Sequence, residues 1–327
     1  MKKLQNTIPI FFSCDDNYLP FLAVAIRSLI ENASDDFYYS IHILNNGFQN
    51  KQSLSHILAM ERENVSIRPV DVTSVIAPIA ARLNLRDYYT ASIYFRLFIA
   101  SMFPQYHKAI YLDADIAVNG DISELYNVPL GQRILGVIPD DIIASHRDFQ
   151  RYAEEGLGIP YRRYFNSGVL LMNLDAFRMQ DIERKFVYLL QKYHFDTVCP
   201  DQDYLNVLCR NNVLYLDKGW NKMSVDSNYY GTPDIVHYNM FYKPWQYKNI
   251  KYQEYFWKYA EMTPFYEDLR ALQKACGRKD KAAHRRANRT LHQNALKIAQ
   301  SPNNFNRVLG IAPIDNQELH REVAYEA

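Results

Sequence analysis

Through the first half of the chain, short apolar or aromatic runs alternate with longer stretches of helical period. Strand-helix-strand units built around a mainly parallel sheet leave this pattern. Ile8 to Ser13 predicts the first strand, and Tyr18 to Glu31 a helix that opens after Asp15-Asp16-Asn17 and takes Pro20 in its first turn. Tyr38 to Leu44 predicts a strand, Lys51 to Glu63 a helix, Val65 to Val70 a third strand, and Tyr88 to Met102 a helix closed by Pro104. Lys108 to Leu112 reads as a buried strand that runs straight into Asp113-Ala114-Asp115. Ile134 to Ile138 and Val169 to Asn173 predict further strands. Helices follow over Leu174 to Tyr193 and Asp203 to Arg210, with strand pieces at Tyr215-Leu216 and Ile235-Val236. Phe149 to Tyr164, charged and aromatic, reads as a surface helix, with a loop over a cleft as the alternative.

After about Trp257 the strand-like runs stop. Arg278, Lys279, Lys281, Arg285, Arg286 and Arg289 are opposed within their run by Asp280 alone. The expected organisation is one α/β domain over residues 1–260 and a helical, basic C-terminal extension over 261–327. The alanine-rich spacing of the extension predicts little apolar face, so the basic run reads as a solvated helix side. Peripheral contact with an anionic membrane is the alternative.

Composition narrows the function classes. With 327 residues, 48% hydrophobic and 22% charged, the chain is that of a globular protein, neither disordered nor fibrous. Its 37 basic and 36 acidic residues leave a net charge of +1, so no global field favours nucleic acid. Cys14, Cys199, Cys209 and Cys276 form no CxxC pair and read as reduced thiols. No stretch approaches the roughly 20 apolar residues of a membrane span, and no small-residue cleavage site follows the first apolar run, so the expected location is the cytoplasm.

The candidate chemistry gathers at strand ends. Asp113 and Asp115, at positions i and i+2 on extended backbone, point the same way after a central strand, where open α/β sheets place their crevice. Two hard carboxylates suit Mg²⁺ or Mn²⁺ held together with substrate phosphates, and an imidazole from His237 would favour Mn²⁺. Read singly, the pair is equally a solvated turn, and His237 a structural hydrogen-bonding residue. Lys243, six residues on, could neutralise a diphosphate. Asp201-Gln202-Asp203 precedes a predicted helix and could be only a cap, Asn166-Ser167-Gly168 only a turn, and Asp15-Asp16-Asn17-Tyr18 only a cap with a packed tyrosine. All five groups fall at strand ends or in the loops after them, which argues for one site.

In order, FFSCDDNY, YFRL, YLDADIAV, FNSGVLLMNL, PDQDYLN and HYNMFYKPW resemble the retaining glycosyltransferases of family 8, over about Ile8 to Trp257. The resemblance implies a GT-A fold: a Rossmann-like, mainly parallel central sheet flanked by helices, binding a UDP-sugar through a divalent metal, usually Mn²⁺ with Mg²⁺ as a substitute. It matches Asp113, Asp115 and His237 to metal ligands. Asp15, Asn17 and Tyr18 match the uridine site, Lys243 the diphosphate contact, and Arg96, Asp140, Asn166 and Asp201 the donor-sugar site. Gln202 matches the residue beneath the anomeric carbon, with Asp201 as the neighbouring carboxylate. The implied activity is transfer of galactose or glucose to a saccharide or glycoconjugate hydroxyl. One position departs: the family commonly has glycine where this chain has Met240, which bears on diphosphate binding if φ there is positive. That departure is the one feature favouring a nucleotide-sugar-binding homologue that has lost transfer and acts as a partner or regulator. A nucleotidyltransferase would share the carboxylates but needs a glycine- and lysine-rich loop after the first strand, which Asp15-Asp16-Asn17-Tyr18 is not.

Overall fold

The computed structural model describes residues 6–83, 90–225 and 229–311. Its main sheet uses β1 (Thr7–Ser13), β2 (Tyr38–Asn45), β3 (Val65–Asp71), β4 (Lys108–Leu112), β6 (Leu135–Pro139), β7 (Phe165–Asn173) and β8 (Val213–Tyr215), in the order β3-β2-β1-β4-β7-β6-β8. β1 pairs in parallel with both β2 and β4, and β2 with β3, whereas β7 runs antiparallel to β4 and β6. The chain therefore leaves β1 to one side for β2 and β3 and returns to its other side as β4. That reversal opens a crevice beyond the carboxyl ends of β1 and β4. A smaller sheet of β5 (Ile116–Val118), β9 (Lys222–Met223) and β10 (Ile235–His237) stands at the same end.

Both faces of the main sheet are covered. Ile10 and Phe12 of β1 and Ile110 and Leu112 of β4 join one buried cluster, while Phe11, Ala109 and Tyr111 between them join the other. A parallel sheet clad on both sides needs apolar residues at every position, which is why these strands read as continuous runs.

Several expected elements end elsewhere. The second helix stops at Leu58 instead of Glu63. Leu174–Met179 and Ile182–Tyr193 are separate helices, parted at Asp181, whose φ of 53° lies in the left-handed region that aspartate tolerates. The expected Tyr88–Met102 helix is a 3₁₀ turn over Ala91–Phe98 followed by a short α-helix over Ile99–Met102; Tyr88 and Tyr89 lie outside the described residues. Pro200 opens the next helix, Pro200–Cys209, so Asp201 and Gln202 sit in its first turn and not before it. The four cysteines form no disulfide with one another, with Cys14 and Cys209 buried and Cys199 and Cys276 half-buried.

The extension is helical where described, over Tyr266–Ala275, Arg278–Gln300 and Phe305–Leu309. Leu291, Ala295, Ile298 and Phe305 join the same buried cluster as β4 and β7, so the Arg278–Gln300 helix has an apolar face, small but closed on the body. It lies along the Phe149–Tyr164 segment, which is helical at Arg147–Arg151 and forms a wider π-type turn at Tyr152–Gly156. Phe149 and Tyr152 are buried beneath it, so that segment is neither a free loop nor a surface helix. Arg278, Lys279, Arg285, Arg286 and Arg289 remain exposed on the other side. No helix among the described residues is long and apolar enough to cross a membrane.

Candidate active site

The strand order brings distant residues together at the crevice. Asp113 and Asp115 occupy the short link between β4 and β5. β10 pairs antiparallel with β5 so that His237 faces Ile116, and the Tyr238 N–H donates to the Asp115 carbonyl at 2.9 Å. One ligand atom from each of Asp113, Asp115 and His237 lies within 4.8 Å of the others. His237 Nε2 is 3.2 Å from Asp115 Oδ1 and 3.7 Å from Asp113 Oδ2. On its far side, Nδ1–H donates to Asn221 Oδ1 at 2.9 Å, which turns the Nε2 lone pair toward the carboxylates. A Cβ added at Gly168 would come within 2.3 Å of His237 Cε1 and 2.6 Å of Asp113 Oδ2, so the absent side chain makes the space in which these donors converge. Two carboxylates and one imidazole around that space fit a divalent cation.

Two buried cations balance the carboxylates. Lys243 Nζ bonds Asp115 Oδ2 and donates to the Tyr238 carbonyl at 2.9 Å, beneath the rings of Trp245 and Tyr18. Burial works to raise the Asp115 pKa, but Lys243 and His237 outweigh it and hold that carboxyl well below the usual range. Arg96, delivered by the Ala91–Phe98 turn, reaches Asp113 Oδ1 at 2.8 Å and Asp201 Oδ2 at 3.2 Å, with its guanidinium 4.2 Å over the Tyr111 ring. Burial lowers the Arg96 pKa, yet Asp113 and Asp201 outweigh that and raise it.

Deeper in, the polar groups are bound to one another. Gln202 Oε1 accepts from the Ser167 N–H at 2.9 Å and Asn166 Nδ2 at 3.0 Å, and Gln202 Nε2 donates to Asp140 Oδ2 at 3.1 Å. Asp140 Oδ1 accepts the N–H groups of Ile142 and Ile143, capping a helix with the side chain that faces the crevice. The Ser167 hydroxyl donates to Asp201 Oδ2 at 2.9 Å. Burial raises the pKa values of both Asp140 and Asp201; Arg96 opposes the rise at Asp201. Asn166 Oδ1 accepts from Asn221 Nδ2 at 2.9 Å, so one hydrogen-bonded chain runs from His237 through Asn221 and Asn166 to Gln202.

These groups line one cleft of about 500 Å³. Asp15, Tyr18, Arg96, Asp113, Asp115, Asp140, Asn166, Asp201, Gln202, His237 and Lys243 all border it. Asn17 does not: it is exposed, and its N–H closes onto Asp15 Oδ1 in a tight turn. Met240 also borders the cleft, with φ of 59°, where glycine would be unstrained. Sequence reading missed Asn221 and the function of Ser167, whose roles rest on partners distant in the chain. It also missed Ala283, His284, Ala287 and Leu291 of the extension, which line the same cleft.

The family model described as glycosyl transferase family 8 matches residues 9–249. The chain belongs to glycosyl transferase family 8. Among family relatives, the lipopolysaccharide 1,2-glucosyltransferase of Escherichia coli K12 is 26% identical over 270 residues, 76% of this chain and 77% of that protein. A putative glycosyltransferase of Haemophilus influenzae is 28% identical over 225 residues, 68% of this chain but only 65% of its own length. The galactosyltransferase LgtC, solved with donor and acceptor sugar analogs, superposes with a TM-score of 0.61 at 26% identity, over 79% of this chain and 96% of that one. The apo bifunctional glycosyltransferase WbbM superposes at 0.70 and 23% identity, over 83% of this chain and 52% of that one, a likeness of fold alone. The fold is GT-A, and glycosyl transfer is the general activity for which the family is named.

Proposed function

We propose that this family 8 chain is a metal-dependent, retaining hexosyltransferase that moves galactose or glucose from a UDP-sugar to a hydroxyl of a saccharide or glycoconjugate. The observation that carries the reading is the convergence of Asp113, Asp115 and His237 within 4.8 Å, in the same cleft as Lys243 and Gln202. Those three residues would hold Mn²⁺, or Mg²⁺ less well, and the cation would supply charge to the departing diphosphate. Asp15 and Tyr18 border the end of the cleft suited to a nucleoside, and Lys243 faces the diphosphate as a second cation. Arg96, Asp140, Asn166 and Asp201 supply the donors and acceptors for the hexose.

The hydrogen bonding favours front-side substitution. Gln202 Oε1 is already engaged by Ser167 and Asn166 and an amide is a poor nucleophile, while Arg96 and Ser167 both hold Asp201 at Oδ2 and leave Oδ1 as the one carboxylate oxygen open to a covalent route. In the step proposed, the C1–O bond to the β-phosphate breaks and the acceptor C–O bond forms on the same face. The hydroxyl proton passes to the leaving phosphate oxygen. A glycosyl adduct trapped on Asp201 would overturn this order of events. The exposed basic side of the Arg278–Gln300 helix adds an electrostatic attraction to anionic membrane, and its loss in moderate salt would follow because no apolar face is left to insert.

Calorimetric titration of UDP with Mn²⁺, with Mg²⁺ and with chelator tests the donor site, with Asp115→Asn alongside. Binding that needs the cation and disappears in the variant supports the reading. UDP binding without hydrolysis or transfer of any UDP-hexose would favour the non-catalytic alternative, which Met240 in its strained conformation supports. No binding at all would sink both.

A further inference from the structure

The cleft has two chemically different ends. Part of the lining that the donor groups leave unassigned comes from the C-terminal extension. Ala283, Ala287 and Leu291, four residues apart and so on one face of the Arg278–Gln300 helix, border the cleft together with Ile143 and Phe241. No charged side chain among the described residues joins them on this wall; His284 supplies its polar edge.

This wall is fixed in place. His292 stacks on Phe149 at 4.4 Å and approaches Asp148 Oδ2 at 3.3 Å. His284 Nδ1 and the Tyr247 hydroxyl share a hydrogen bond at 2.7 Å, tying the helix to the loop that carries Lys243. A Cβ at Gly156 would lie 3.5 Å from Ala299 Cα, so the helix rests close on the π-type turn. Asn304 Nδ2 donates to the Ile298 and Ala299 carbonyls at 3.2 and 3.1 Å, closing the helix end.

The geometry points to this helix as the acceptor-side wall of the cleft, holding the apolar aglycone of an acceptor glycoside while its hydroxyl reaches the donor sugar. This inference rests on the transferase reading for the identity of the reacting centre. Alanine at 283 and 287 leaves width for the ligand, and Leu291 with Phe241 gives it an apolar surface. A purely polar oligosaccharide would find little to hydrogen-bond there, whereas an alkyl or aryl glycoside would bury its aglycone.

Saturation-transfer NMR with octyl and methyl β-D-galactoside and β-D-glucoside, on protein with and without Mn²⁺ and UDP, tests it. The octyl compounds, kept below micelle concentration, should bind at least about tenfold more tightly than the methyl ones. In Ala283→Trp, at an exposed helix position, that advantage should fall below about twofold while UDP affinity stays unchanged. Ala287→Glu serves as the second variant and should do the same by placing a charge on the wall. Equal binding of octyl and methyl glycosides to wild-type protein, or an advantage that survives both variants, overturns the assignment. Protein that binds octyl glycosides in this way but no UDP would leave the wall standing and remove the donor reading.

Discussion

Asp115, half-buried on the crevice, and Asp203, fully buried in the helix that carries Asp201 and Gln202, are carboxylates whose surroundings drive them in opposite directions. Asp115 has an ionic partner, Lys243, with the His237 ring beside it, and together they hold its pKa low despite burial. Asp203 has neutral donors only: the Tyr152 and Tyr164 hydroxyls at 2.6 Å each and the N–H groups of Val198 and Cys199 at 3.1 and 3.0 Å. Burial dominates there and pushes its pKa up to about 7, with the tyrosine and backbone donors opposing. Hydrogen bonds without a counter-charge satisfy a carboxylate's geometry but do not restore the solvation it has lost. One aspartate is thus held as an anion at the crevice, the other serves as a junction between helix and core.

Substitution should separate these roles. The largest effect expected is that of Asp115→Asn, which keeps the shape and removes the charge. Transfer should fall about 10³-fold and cation-dependent UDP binding with it, read by initial rates and calorimetry. A variant within tenfold of wild type would mean that the charged cluster is as structural as Asp203. Asn221→Leu comes next. It should cost about 10- to 100-fold in Mn²⁺ affinity by freeing the His237 ring, with activity recovered at high Mn²⁺; an unchanged affinity would break the proposed His237-Asn221 coupling.

Asp203 should announce itself through pH rather than turnover. Its raised pKa means that the folded protein binds more protons than the unfolded one between about pH 4 and about pH 7. Its contribution to stability therefore declines as pH rises through that window, by at most ~1.4 kcal/mol per pH unit, and levels off above it. Urea midpoints across the range in wild type and Asp203→Asn would show it: the variant should be less stable at low pH but lack this component of the slope. The smallest effect belongs to Met240→Gly, which relieves a left-handed residue while adding unfolded-state entropy. The net change should stay within about 1 kcal/mol, with any gain in UDP affinity marking methionine as an obstruction to diphosphate.

Much of this was legible in the chain because the informative residues follow strands. β1 and β4 announce themselves as apolar runs and the residues after them border the crevice, whereas antiparallel β7 brings Asn166 and Ser167 there from its amino end, inside a strand that the sequence pattern starts only at Val169. Asn17 shows the limit: its place in the sequence fits, but the turn at Asp15 leaves it exposed and outside the cleft lining. Asp181 carries no glycine or proline to mark the break between its two helices. Asn221 sits after a tryptophan in no recognisable pattern, and its value comes wholly from Asn166 and His237, far away in sequence. The extension misled in another way. Its charges are conspicuous, whereas Leu291, Ala295 and Ile298 make a narrow apolar stripe that matters because Gly156 lets the helix come close.

The pairing of β10 with β5 has a consequence for how the molecule matures. Three residues of strand, Ile235–His237, decide whether the imidazole meets the carboxylates, and a slip of one position would turn His237 to the opposite face. Any capacity to chelate therefore depends on residues from the middle and the far end of the α/β body having met in register. A cation titrated during refolding would act as a proofreader, drawing the population toward the one alignment that can hold it.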